Sequence, residues 1–125
     1  MIKDLIQTTL DAVLYPKNIF VYEQRKSGPD ADEYVVYSMS GDIEENYADD
    51  EVLVKNANVT VKYFYRSEKL DNYSTRKNVR EIEDLIENAL KEAGFSIPYG
   101  RFDAGDVDDI GYMTTVFECE YWRVV

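Results

Sequence analysis

Two groups of carboxylates are the residues of this chain best equipped for chemistry. Asp103, Asp106, Asp108 and Asp109 lie close together with Gly105 among them and Gly111 just beyond, and oxygen-rich, glycine-bent segments of this kind bind hard cations such as calcium. The detail fails. Counted from Asp103 or from Asp106, the twelfth position is Thr114 or Phe117 where a bidentate glutamate is needed, and no helix follows. The segment reads as a solvated loop. Adjacent pairs such as Glu44 and Glu45 have the composition of a glycosidase acid and base, but with 25 acidic residues in the chain such pairs arise by chance. Cys119, the single cysteine, sits on an apolar stripe with no histidine to activate it, and reads as a small core residue.

The chain contains no histidine at all. Histidine is the usual general base, proton shuttle and transition-metal ligand near neutral pH, so most serine and cysteine hydrolase chemistry and most zinc sites are excluded. No nucleotide or nucleophile motif replaces it. The sequence therefore predicts a non-catalytic protein with no cofactor, no metal and no catalytic residues.

Charge narrows the partners further. A formal charge of -11 repels phosphate backbones, and the basic residues are scattered, with the densest groups at Arg25 and Lys26 and at Arg76, Lys77 and Arg80. The second group reads as the solvated first turns of a helix. Specific nucleic-acid binding is not expected, and Tyr63, Tyr65 and Tyr121 read as strand packing rather than base-stacking platforms. An acidic surface does suit a channel through which DNA slides without sticking. A lone cysteine fits a reducing compartment. Lys3, Asp4 and Asp11 interrupt the first helix, and no apolar run approaches the roughly 20 residues of a membrane span, so neither export nor membrane insertion is expected.

These residues must be positioned by a scaffold that the apolar pattern outlines. At 125 residues with 45% hydrophobic side chains, the chain can build one core, a single domain over residues 1–125. Ile2, Leu5, Ile6, Leu10, Val13 and Leu14 share a helical face that stops before Pro16. Residues 19–22 and 33–40 read as two strands of a hairpin around a turn-rich segment. Asp42 to Glu51 carries six acids and no base, which predicts an extended, solvated loop, either bare surface or a partner-docking element. A long strand follows to Tyr65, with a bulge or a strand start expected near Asn56 where the apolar parity changes. Val79, Ile82, Ile86, Ala89, Leu90 and Ala93 share a face of a second helix, with Asn78 and Glu81 as a capping box, a start as early as Ser74 and Gly94 as its stop. A short strand around 99–102 and a last long strand from Tyr112 complete the chain, its stripe of Met113, Thr115, Phe117, Cys119 and Tyr121 facing inward. The expected fold is α+β: a mostly antiparallel sheet of four or five strands with two helices on one face. Phe64, Val116 and Trp122 lie on the parity opposite the core stripe, so the other face is expected to meet a neighbouring subunit.

In element order, size and spacing the chain resembles the tail terminator and tail-to-head joining proteins of long-tailed bacteriophages. The likeness rests on an N-terminal helix leading into LYPKNIFVYE, the strand NVTVKYFYRS, the helix VREIEDLIENALKEAGF, the DAGDVDDIGY connector and the closing strand FECEYWRV. It implies a structural virion protein, assembled in the host cytoplasm and found in the virion tail. Such a protein forms a homo-oligomer, a hexameric ring, that caps the tail tube and contacts tail-tube and head-completion proteins while DNA passes through unbound. No catalytic residues come with the resemblance. The candidate partner or subunit contacts are then Glu44, Glu45, Asp49 and Asp50 in the acidic run and Phe64, Val116 and Trp122 on the sheet. The alternative reading is an acidic binding module of the inhibitor or immunity type, docking on a basic partner with electrostatic steering.

Overall fold

Ile2, Ile6, Leu10 and Leu14 recur at every fourth position and form the buried stripe of helix α1 (Ile2–Leu14). They are seen in a computed structural model that describes residues 2–26, 31–46, 53–107 and 110–124, with side-chain environments for all of these except 40–46, 53–56 and 122–124. Pro16 tightens the chain into a 3-10 turn, Tyr15–Lys17, which Asn18 ends in a left-handed conformation with its N–H returned to the Tyr15 carbonyl. This turn delivers the chain into strand β1 (Phe20–Glu23).

The next strand, β2 (Glu33–Asn46), lies parallel to β1, with Phe20 opposite Tyr34 and Glu23 opposite Tyr37. The expected hairpin is therefore corrected to a crossover. Parallel pairing usually needs a helix-length connection, but β1 is only four residues long. Gln24, at φ 65°, turns the chain while its N–H bonds the Tyr37 carbonyl at 2.8 Å. The return is pinned where the Tyr112 hydroxyl donates to the Ala31 carbonyl at 2.6 Å and the Arg66 N–H donates to the Asp32 carbonyl at 3.0 Å.

Strand β2 runs on into the acidic segment, whose first residues were expected to be loop. Asp42 to Asn46 pair with β3 (Leu53–Arg66), ending with Asn46 opposite Leu53. Charge makes such a segment soluble without making its backbone unpaired, and one neighbouring strand completes the ladder. The rest of the run, including Asp49 and Asp50, lies outside the described residues. The bulge also moves. The register shifts at Gly41 on β2, between Ser40 and Asp42, whereas β3 pairs without interruption from Val54 to Arg66 with β5 (Tyr112–Val124).

Helix α2 (Tyr73–Glu92) starts one residue before the early start expected at Ser74, so Asn78 and Glu81 lie inside the helix and are not its capping box. Its cap is Asn72, whose side chain accepts from the Thr75 N–H at 3.0 Å. At the other end Gly94, at φ 99°, allows the Phe95 N–H to reach the Leu90 carbonyl and its own N–H to reach that of Lys91. This is a Schellman closure, with Phe95 and Leu90 joining the same core. Strand β4 (Arg101–Gly105) then pairs antiparallel with β5.

The fold is α+β, a five-stranded, mostly antiparallel sheet in the order β1-β2-β3-β5-β4, with both helices contributing to the core on one face. Val35, Tyr37, Val59, Val61, Tyr63, Phe117 and Cys119 meet the stripes of α1 and α2 there. Within this core Glu83 of α2 is buried and accepts a hydrogen bond from the Thr115 hydroxyl at 2.5 Å. Replacing Thr115 by Val leaves that carboxylate without its donor and is expected to cost about 1–3 kcal/mol, whereas Thr115→Ser, which keeps the hydroxyl, should cost less. Urea melts of the two variants check the difference. Among the described residues no helix is long and apolar enough to cross a membrane.

Candidate interaction surfaces

The edge strands β1 and β4 are short, and this leaves a projecting arm. The β1 ladder ends at Tyr37 and the β4 ladder at Phe117, with one isolated bridge between Ser96 and Glu120 beyond it. Residues 42–46 of β2, 53–57 of β3 and 121–124 of β5 continue as three paired strands with no further ladder on either side among the described residues. Open strand edges present unpaired N–H and C=O groups to a partner. Glu44 stands opposite Lys55, and Lys55 opposite Arg123, while Glu45 is opposite Val54 and Trp122 opposite Asn56. The arm therefore gathers Glu44, Glu45 and Trp122 by backbone position.

Phe64 and Val116, grouped with them in the sequence analysis, occupy a different place. They sit on the sheet face away from the helices, among aromatic rings. Tyr34 stacks on Phe64 with centroids 4.8 Å apart and meets Tyr112 edge-on at 5.4 Å. Lys26 lies over the Tyr34 ring and Arg66 over the Tyr112 ring, at 5.7 and 4.7 Å. These rings cover the face within the single chain, so Val116 is only 5% exposed and Phe64 is half-buried. Thr114, opposite Phe64, is buried too.

A third surface was read from sequence as ordinary solvated helix. On the first turns of α2, Arg76, Lys77 and Arg80 are exposed and make no hydrogen bond or ion pair to any described residue. Tyr73 beside them is 76% exposed, and a groove of about 350 Å³ between α2 and β4 brings Leu70 alongside Arg76 and Arg80. Glu83 and Asp103 also line it. The sequence signal was available in the apolar Leu70 and Tyr73 just ahead of the cations.

The remaining candidates are structural. Asp106 accepts from the Ile110 and Gly111 N–H groups at 3.1 and 2.8 Å, which makes it a turn-closing carboxylate. Asp103 is in β4, and Asp108 and Asp109 lie outside the described residues. Among the described residues no group of three His, Cys, Asp or Glu side chains could hold a metal. Cys119 is buried, and burial, with the charge of Glu118 second, pushes its thiol up to about 12. Tyr63 and Tyr65 are buried strand residues, and Tyr121 is half-buried against Phe95. A cleft of about 640 Å³ is lined by Lys17, Glu33, Lys69, Glu81 and Asp84 together with Asn78 and Asn88, where Lys69 and Glu33 pair at 3.9 Å.

Comparison of the chain with protein-family models and with curated proteins finds no match.

Proposed function

We propose that this chain is a structural subunit of a long-tailed phage or prophage that caps the tail tube as a ring and joins tail to head. The observation that carries the reading is the arm, a three-stranded extension beyond the ladders of both edge strands that leads into a run of acids. A free-standing domain gains little stability from such an extension, while a ring subunit needs one to reach its neighbour. The reading assigns the protein no catalytic role. Its charge of -11 suits a lumen that DNA traverses without being held. The element order, helix, two strands, long strand, helix, two strands, supports the resemblance described above.

Replacing Glu44, Glu45, Asp49 and Asp50 by Ser or Asn tests the reading. Folding stability is expected to stay within about 0.5 kcal/mol, the scale of surface changes, while assembly of infectious particles is lost. A denaturant melt beside complementation of a phage lacking the gene measures both. Full complementation would remove the arm from the assembly. Quantitative mass spectrometry of purified tails should find six copies, and a single copy or none ends the proposal.

A second reading uses the same acidic surface. An inhibitor or immunity-type module would present these carboxylates to a basic active site. A one-to-one complex with a basic nuclease decides for it.

A further inference from the structure

We infer that the exposed face formed by Arg76, Lys77 and Arg80 on α2, with Leu70 and Tyr73 beside it, is the docking site for the acidic arm of a second copy of this chain. The inference rests on the ring reading and specifies its subunit contact.

Three cations on neighbouring helical positions repel one another, and in a chain with 25 acidic and 14 basic residues partners for them are plentiful. None of the described acids takes the role. By contrast, Arg101 on the adjoining strand is paired, at 2.8 Å, with Asp84. Beside the unpaired cations Tyr73 and Leu70 are 76% and 37% exposed. Arginine and tyrosine around an apolar centre is the composition of protein contact surfaces rather than of ordinary solvated helix.

The occupant follows from charge and distance. The segment Asp42 to Glu51 holds six acids and no base, the counterpart of the patch. The arm of the same chain cannot reach it. Strand β3 starts in the arm at Leu53 and ends at Arg66, one 3-10 turn before α2, so the arm and the first turn of α2 lie at opposite ends of a strand roughly 40 Å long. The contact must join two molecules, and it is head-to-tail because the two surfaces differ. Such a contact closes into a ring when the rotation allows and otherwise grows as a filament.

Two charge-reversed variants test this. Arg76→Glu with Arg80→Glu makes the patch acidic beside an acidic arm; Glu44→Lys, Glu45→Lys, Asp49→Lys and Asp50→Lys together make the arm basic beside a basic patch. By sedimentation velocity at about 50 mM salt, where charges separated by little more than 10 Å still interact, wild type should associate and each variant alone should be at least about tenfold weaker. An equimolar mixture should associate again, because each variant then offers the other a complementary surface. The inference is overturned if the mixture stays monomeric, if wild type is monomeric, or if either variant associates as wild type does. Circular dichroism of each variant, matching wild type, confirms that lost association is not lost folding. Wild type that forms rings while the mixture fails would overturn this contact and leave the ring reading standing; a restored mixture that forms open filaments would sustain the contact and count against the ring.

Discussion

Raising the pH from 9 to 12 is expected to unfold this protein cooperatively, through protons held by buried phenols and a buried thiol. Tyr63 is fully buried and its hydroxyl donates to Glu33 at 2.6 Å. Burial first, then that hydrogen bond and the charge of Glu33, raise its pKa far above the ordinary 10.0. Cys119 is pushed from 9.0 to about 12 by burial and then by Glu118. Tyr37, by burial and then Glu23, goes to about 12, and Tyr65 is raised by burial and then Glu83. In every case the folded state binds its proton more tightly than the unfolded state. Below about pH 9 both states are protonated and these groups leave stability independent of pH. Above it the unfolded chain ionises first, and each group removes about 1.4 kcal/mol of stability per pH unit until its folded pKa is reached.

Cys119 and Tyr63 alone then give a slope of roughly 2.7 kcal/mol per pH unit above pH 10, against a total stability of about 5–15 kcal/mol for a domain. Urea midpoints at pH 8, 10 and 11 measure the slope, and the last tyrosinate absorbance should appear together with loss of helix signal. Complete tyrosine ionisation near pH 10 with the fold intact would refute the account. Tyr63→Phe provides the internal comparison: it should cost about 1.5–3 kcal/mol at neutral pH, because Glu33 loses its phenolic donor, yet flatten the alkaline slope by about 1.4 kcal/mol per unit.

The groups responsible were visible in the sequence as members of apolar stripes, and this indicates what a sequence can show. Helix α1 and strands β3 and β5 bury one side against helices and leave contrasting residues on the other, so their periods were legible. The direction of β1 was not. The entry into β2 at Ala31 and Asp32 is held by Tyr112 and Arg66, distant in sequence. The cap at Asn72 was missed because residues 73–78 carry no apolar stripe, which left the helix period to begin at Val79. The acidic run was misread as loop because like charges report on solvation, while strand pairing is a backbone property that β3 satisfies. Of the candidate contacts, the arm residues Glu44, Glu45 and Trp122 fall together through register. Phe64 and Val116 fall elsewhere, because the rings of Tyr34 and Tyr112 cover their face within the chain.

The same contrast between the two faces sets the largest mutational effect expected. Phe117 is 0% exposed at the centre of β5, opposite Val61 on one side and Arg101 on the other, in the cluster that also holds Ile86 and Leu90 of α2. Strands and helices enclose it, so removing its ring leaves a cavity that the sheet, held in register from Val54 to Arg66, cannot close. Phe117→Ala is expected to cost about 3–5 kcal/mol, enough to lower the melting temperature by at least about 10 °C, whereas Phe117→Leu should cost less than half as much. Phe102→Ala, one strand away on the other face and 47% exposed, should change stability by no more than about 0.5 kcal/mol. Thermal melts of the three variants decide the matter. A Phe117→Ala protein as stable as wild type would mean that the helices do not enclose this face, and a Phe102→Ala protein as damaged as Phe117→Ala would place the core on both faces of the sheet.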